Sequence, residues 1–275
     1  MLRTMDWNRG FLACSPMFEP LRAHAGAFGD DWPRHADLQR LLDRRSPPLR
    51  NAGGMPLRVV PQGRRSDSFE DGYEPRLYLK GELQVREGNW HDLFNVLVWL
   101  AFPLAKAALN QRHYGALRVQ RAPNRGPVQD ALTLFDEGGV IVASSDEELL
   151  ACLRDWQWKE LFWGHRARLV RRMSFTLFGH AIYEKALRPF IGITSRGILL
   201  KVEPELFAAP LAEQLAVLDT RIAGYLADAS RVTATRELAV VPVLGVPGWC
   251  AGNDMESFYD NTDYFRVARA TEKRD

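Results

Sequence analysis

From Trp90 to Phe102 the chain is apolar at every position except His91, Asp92 and Asn95. A helix that is apolar nearly all round cannot lie on a surface, so this one must be enclosed by the rest of the fold. The material is there: 275 residues, 46% of them apolar, suffice for one large domain around such a helix. Pro103 lacks an amide hydrogen and clashes with the preceding turn, so it kinks or restarts the helix, with a second piece expected to about His113. Asn95, Pro103 and Lys106 interrupt the wider apolar window from Leu93 to Leu109, which therefore reads as a buried helix and not a membrane span.

Shorter elements are expected around it. Arg76 to Lys80 and Glu82 to Arg86 have strand length on either side of Gly81, and Leu132 to Phe135 with Val140 to Ala143 flank Asp136-Glu137-Gly138-Gly139 as strand, turn and strand. Ser144 or Ser145, with Glu147 or Glu148 three residues on, makes a capping box for a helix carrying Leu149, Leu150, Leu153, Trp156 and Phe162. Further helices are expected at Ala36 to Arg45, Ser174 to Arg188 and Leu211 to Ala227, with a strand at Ile198 to Val202 and a turn-rich segment after Val240. The fold class is α+β, a predominantly helical single globular domain with several short strands. Proline, glycine and charge crowd residues 46–75, so residues 1–75 are expected as an N-terminal extension packed on a main domain at 76–275. Pro247-Gly248 is expected to plant Trp249 in the body near Phe258 and Tyr259.

The net charge of +2 favours neither nucleic acid nor a membrane surface, so nucleic acid is open only to a local basic patch. Three scattered cysteines suit a reducing compartment and disfavour a disulfide framework. Arg3, Asp6, Arg9 and Glu19 break up the first 22 residues, which lack the apolar stretch of a signal peptide, and the cytoplasm is the expected location. No G-x-G-x-x-G, Walker loop, G-x-S-x-G or H-E-x-x-H occurs.

Several motifs together resemble one family. They are Asn89-Trp90-His91-Asp92-Leu93-Phe94-Asn95, Phe102-Pro103 with Lys106 and Leu109-Asn110, Leu132 to Gly139, Phe178-Gly179-His180 with Glu184, and Pro247-Gly248-Trp249 with Phe258-Tyr259 and Phe265-Arg266. Spread over roughly residues 75 to 268, they are similar to a bacterial family catalogued as a domain of unknown function, DUF3025. The resemblance implies no activity.

Candidate chemistry comes from the residues. On one helix, His91, Asp92 and Asn95 share a sector of about 100°, and Lys106, Asn110 and His113 join it if the phase survives Pro103. As a site, these residues form a catalytic face (His91, Asp92, Asn95, Lys106). As scaffold, Asp92 favours the positive end of the helix and its neighbours bond loop backbone. His180 and Glu184, four residues apart, either form a solvated pair or reach one divalent ion with His91, Asp92 and a carboxylate from Asp136 or Glu137. Such a metal set points to a hydrolase-like enzyme. The alternative is a non-catalytic module that contacts nucleic acid or protein through Arg166, Arg168, Arg171 and Arg172, flanked by Trp156, Trp158 and Trp163.

Overall fold

A computed structural model describes residues 6–25, 28–63, 68–119 and 126–266. Helices α1 (Arg22–Ala25) and α2 (His35–Asp43) precede strand β1 (Arg58–Pro61), helix α3 (Tyr73–Lys80) and strand β2 (Glu82–Val85). Helices α4 (Trp90–Ala101) and α5 (Pro103–Val119) follow, then α6 (Pro127–Gly138), strand β3 (Gly139–Ser144) and α7 (Glu147–Arg154). A π-helical turn at Glu160–Gly164 and helix α8 (Arg166–Arg172) lead to β4 (Met173–Leu177), α9 (His180–Ala186), β5 (Thr194–Lys201), α10 (Leu211–Ala227) and β6 (Ala239–Pro242). The class is α+β, mostly helical.

The four-stranded sheet runs β4-β3-β5-β6, with β3 parallel to β5 and both outer pairings antiparallel. Every residue of β3 is buried, as a central strand covered on both faces requires. In α4 all residues but His91 and Asp92 are buried, and the Asn89 side chain caps the helix by accepting from the Asp92 amide. Pro103 opens α5 as its first residue, and the two helices are bent by 114°. Asp219 of α10 caps the start of α5, accepting from the amides of Leu104 at 3.1 Å and Ala105 at 2.8 Å. Among the described residues no single helix is long and apolar enough to cross a membrane; α4 and α5 would be together, but the bend parts them.

The N-terminal segment contributes to the core. Phe11, Met17, Phe18 and Leu21 are buried, Trp7 stacks on Trp90, and Phe18 stacks on both Phe94 and Tyr183. Strand β1 pairs in parallel with β2, where Glu82 holds both Arg58 and Arg76.

Several local expectations are corrected. Residues 76–80 belong to helix α3, ended by Gly81 at φ 69°; a Cβ there would stand 2.2 Å from the Pro56 carbonyl oxygen. Leu132 to Phe135 lie within α6, which starts at Pro127. The segment from Ser174, expected as one helix, divides into β4, paired with β3, and α9, so Phe175 sits in a strand. Asp146 and not a serine caps α7, which stops at Arg154, leaving Phe162 in the π-helical turn. Ala239–Pro242 forms the strand β6, which takes in the first two residues of the segment expected as turns after Val240. Trp249 is only half buried, its ring facing Phe175 at 6.5 Å.

Candidate functional site

Two glycines at a backbone crossing build the site. The amides of Phe178 and Gly179 both donate to the Gly139 carbonyl at 2.9 Å. A Cβ on Gly179 would stand 2.4 Å from the Gly139 nitrogen and 2.5 Å from the Glu137 carbonyl oxygen, so only glycine permits this approach. The crossing sets the first residue of α9, His180, beside Asp136 and Glu137 in the last turn of α6. Helix α4 packs alongside α9 and brings His91, in its own first turn, to the same point.

The Nε2 atoms of His91 and His180 are 3.0 Å apart, with the rings edge to face. Glu137 completes a triangle, its oxygens 3.8 Å from His91 Nε2 and 3.7 Å from His180 Nε2. Each imidazole turns its other nitrogen to a carboxylate: His91 Nδ1 lies 3.5 Å from Glu184, and His180 Nδ1 lies 3.9 Å from Asp136 without a hydrogen-bond partner.

The environments of the two histidines pull their protonation apart. The hydrogen bond with Glu184 raises the pKa of His91 against the effect of burial, and the charges of Glu137 and Asp92 add to the rise. Burial lowers that of His180 to about 3, aided by Lys106 and His91 and opposed by Asp136. Without an ion, His91 is therefore the one that carries a proton, and His180 is the acceptor. Burial raises the pKa of Glu137. Burial also disfavours ionised Asp136, but the Lys106 ammonium at 2.5 Å outweighs it and holds the carboxyl below its usual range.

The site opens into a polar cleft of about 310 Å³, within the usual size for a small ligand. Tyr73 and Glu74 of α3, His113 of α5 and Gln129 of α6 line it, and sequence reasoning assigned none of them a role except His113, placed on the polar face. The Tyr73 hydroxyl accepts from Asn95 Nδ2 at 2.6 Å. Burial, with Glu74 and Asp136 nearby, pushes the Tyr73 pKa well above its ordinary value, so the phenol stays a donor.

Of the residues singled out in the sequence, His91, His180 and Glu184 meet here. Asp136 stands behind His180, and Lys106 behind Asp136. Asp92 turns to Arg86, accepting from its backbone amide at 2.7 Å and from its guanidinium at 2.8 Å. It thus ties the end of β2 to the start of α4. Asp92→Asn should lower stability by about 1–3 kcal/mol in urea with chelator present. Wild-type stability would show that the pairing with Arg86 contributes nothing to the fold.

The basic run is mostly paired. Arg166 bonds Asp254, Arg168 bonds Glu148, and Lys159 bonds Asp260 and Glu256, while Arg171 and Arg172 are exposed. Trp158 is buried, its indole donating to the Arg266 carbonyl.

The family model described as DUF3025, protein of unknown function, matches residues 57–269. The chain belongs to this family. No curated protein and no solved structure matches it.

Proposed function

We propose that this member of the DUF3025 family is a cytoplasmic, metal-dependent hydrolase whose divalent ion is held by His91, His180 and Glu137. The carrying observation is that two Nε2 atoms face each other at 3.0 Å while each Nδ1 faces a carboxylate. With the ring protons at Nδ1, facing Glu184 and Asp136, a cation that displaces the proton shared between the two Nε2 atoms would meet both Nε2 lone pairs at one point beside Glu137. Lone pairs so directed call for a cation. Ligands around a tetrahedral zinc lie about 3.3–3.5 Å from one another. The observed 3.0, 3.7 and 3.8 Å separations reach that range with small side-chain shifts. Two imidazoles, one carboxylate and an open fourth position resemble hydrolytic and not structural metal sites.

Held by His91, His180 and Glu137, a divalent ion would lower the pKa of a bound water toward neutrality and polarise a substrate carbonyl. Glu184 orients His91, and the Lys106–Asp136 pair stands at the Nδ1 side of His180. Tyr73, its oxygen already accepting from Asn95, has its own proton free to donate to a developing oxyanion in the cleft. Three unpaired cysteines suit the proposed compartment.

Elemental analysis after native purification should find one divalent ion per chain, and thermal shift should rank zinc, manganese, magnesium and nickel. His91→Ala, Glu137→Gln and His180→Ala should each lose the ion while Asp92→Asn keeps it. No ion and no shift with any of the four metals would remove the metal from the reading.

A further inference from the structure

The two tryptophans at the edge of the basic run part company with its arginines. Trp156 follows α7 as the residue after its cap, with φ 59°. Two hydrogen bonds hold it there: its own amide donates to Leu153 at 3.3 Å, and that of Gln157 to Cys152 at 2.8 Å. Helices that end in this pattern place glycine in the left-handed position, because a Cβ is disfavoured there. A large aromatic side chain kept in that conformation marks a function when its surroundings offer one.

The surroundings do. Trp156 and Arg196 of β5 stand between two adjoining cavities of about 290 and 630 Å³ and line both. The smaller is walled by Trp158 and Tyr264, with Thr194, Asp263 and Arg266 as further polar groups. Arg154, Arg231 and Arg236 line the larger, with Glu237 as its one acid. Arg154 is paired with Glu147 and Arg231 with Asp228, whereas Arg196 and Arg236 meet no carboxylate within ion-pair distance among the described residues. Arg231 lies over the Tyr225 ring at 4.5 Å, and the next residue, Val232, has φ 52°. Trp156 and Val232 are the two non-glycine residues with left-handed backbone among those described; Trp156 lines the groove itself, and Val232, buried, follows the lining residue Arg231.

We propose that this groove binds a nucleotide unit, with the planar base against Trp156 in the aromatic cavity and the phosphate on Arg196 and Arg236 in the basic one. Indole faces stack on bases, and guanidinium pairs with phosphate oxygens. At the base edge Asp263 accepts and the Thr194 hydroxyl donates or accepts. The groove shares no lining residue with the cleft at His91 and His180, so this inference stands whether or not a metal binds there.

Calorimetry on the whole chain tests it with ADP, adenosine, pyrophosphate and a short single-stranded oligoadenylate. ADP should bind with a Kd below about 100 µM, and adenosine and pyrophosphate should each bind at least about tenfold more weakly, since each keeps one half of the contacts. Trp156→Gly relieves the backbone and should remain folded, and it and Arg196→Gln should each weaken ADP by about tenfold or more. Tighter binding of the oligonucleotide than of ADP would name a strand as the source of the nucleotide unit; the reverse order would name a free nucleotide. No binding of ADP or oligonucleotide at about 1 mM, or pyrophosphate binding as well as ADP, overturns the proposal.

Discussion

Between about pH 4 and pH 6, Asp219→Asn protein should gain about 3 kcal/mol of stability relative to wild type. Asp219 is 5% exposed, and burial pushes its carboxyl up to about 6 from 3.8, against the two α5 amides it accepts from. The folded pKa is raised, so above 3.8 the unfolded chain is ionised while the folded chain still holds the proton. Folding therefore binds a proton across this window, and stability falls as the pH rises until the folded carboxyl ionises near 6. His24, lowered by burial to about 4, and His180, lowered to about 3, act in the opposite direction below 6.5. The test is thus the difference between variant and wild type in urea, pH by pH, with chelator present. Asparagine keeps one acceptor oxygen, so its loss of a hydrogen bond is a constant offset and not a slope. A flat difference across the window would mean that the carboxylate is better served by the α5 amides than its burial implies.

The elements legible in the sequence are those whose own periodicity agrees with their packing. Leu211–Ala227 and Trp90–Ala101 stand where apolar spacing puts them. The Leu-Thr-Leu-Phe run at 132–135 has strand composition, yet Pro127 starts a helix that carries through it to Gly138. Ser174 to Leu177 reads as the start of a helix, and only pairing with β3 makes it a strand. The meeting of His91 with His180 was a condition that sequence could state but not decide, because it depends on how α4 packs on α9. Glu137 comes to stand between the two histidines, in the proposed ligand position, because α6 runs through the expected turn and places it in its last turn. The Trp156 groove was hidden for the same reason, its arginines coming from β5 and from residues 231 and 236. What the chain does carry locally is the pair of glycines, Gly179 directly before His180 and Gly139 two residues after Glu137.

Gly179→Ala should therefore damage fold and site together. Its backbone, at φ −64° and ψ 132°, suits alanine, so no conformational penalty explains a preference for glycine here. The obstacle is the approach: the new Cβ would meet backbone atoms of Gly139 and Glu137 at 2.4–2.5 Å, and neither can rotate away. Overpacking of this kind costs about 1–3 kcal/mol even after relaxation, and relaxation here means moving the start of α9 off the end of α6. That movement separates His180 from Glu137, whose atoms must both lie about 2.0–2.2 Å from one ion. Metal affinity should fall on the order of 100-fold, a loss the fold penalty alone does not produce. Gly115→Ala is the control, because an added Cβ there meets nothing within 4 Å in exposed α5 and should stabilise the helix by about 0.5–1 kcal/mol. Urea melts with chelator report the fold, and metal titration of the folded variant reports the site. A Gly179→Ala protein that melts as wild type and fills with metal as readily would show that the crossing has room, and that the ligand triangle does not depend on it.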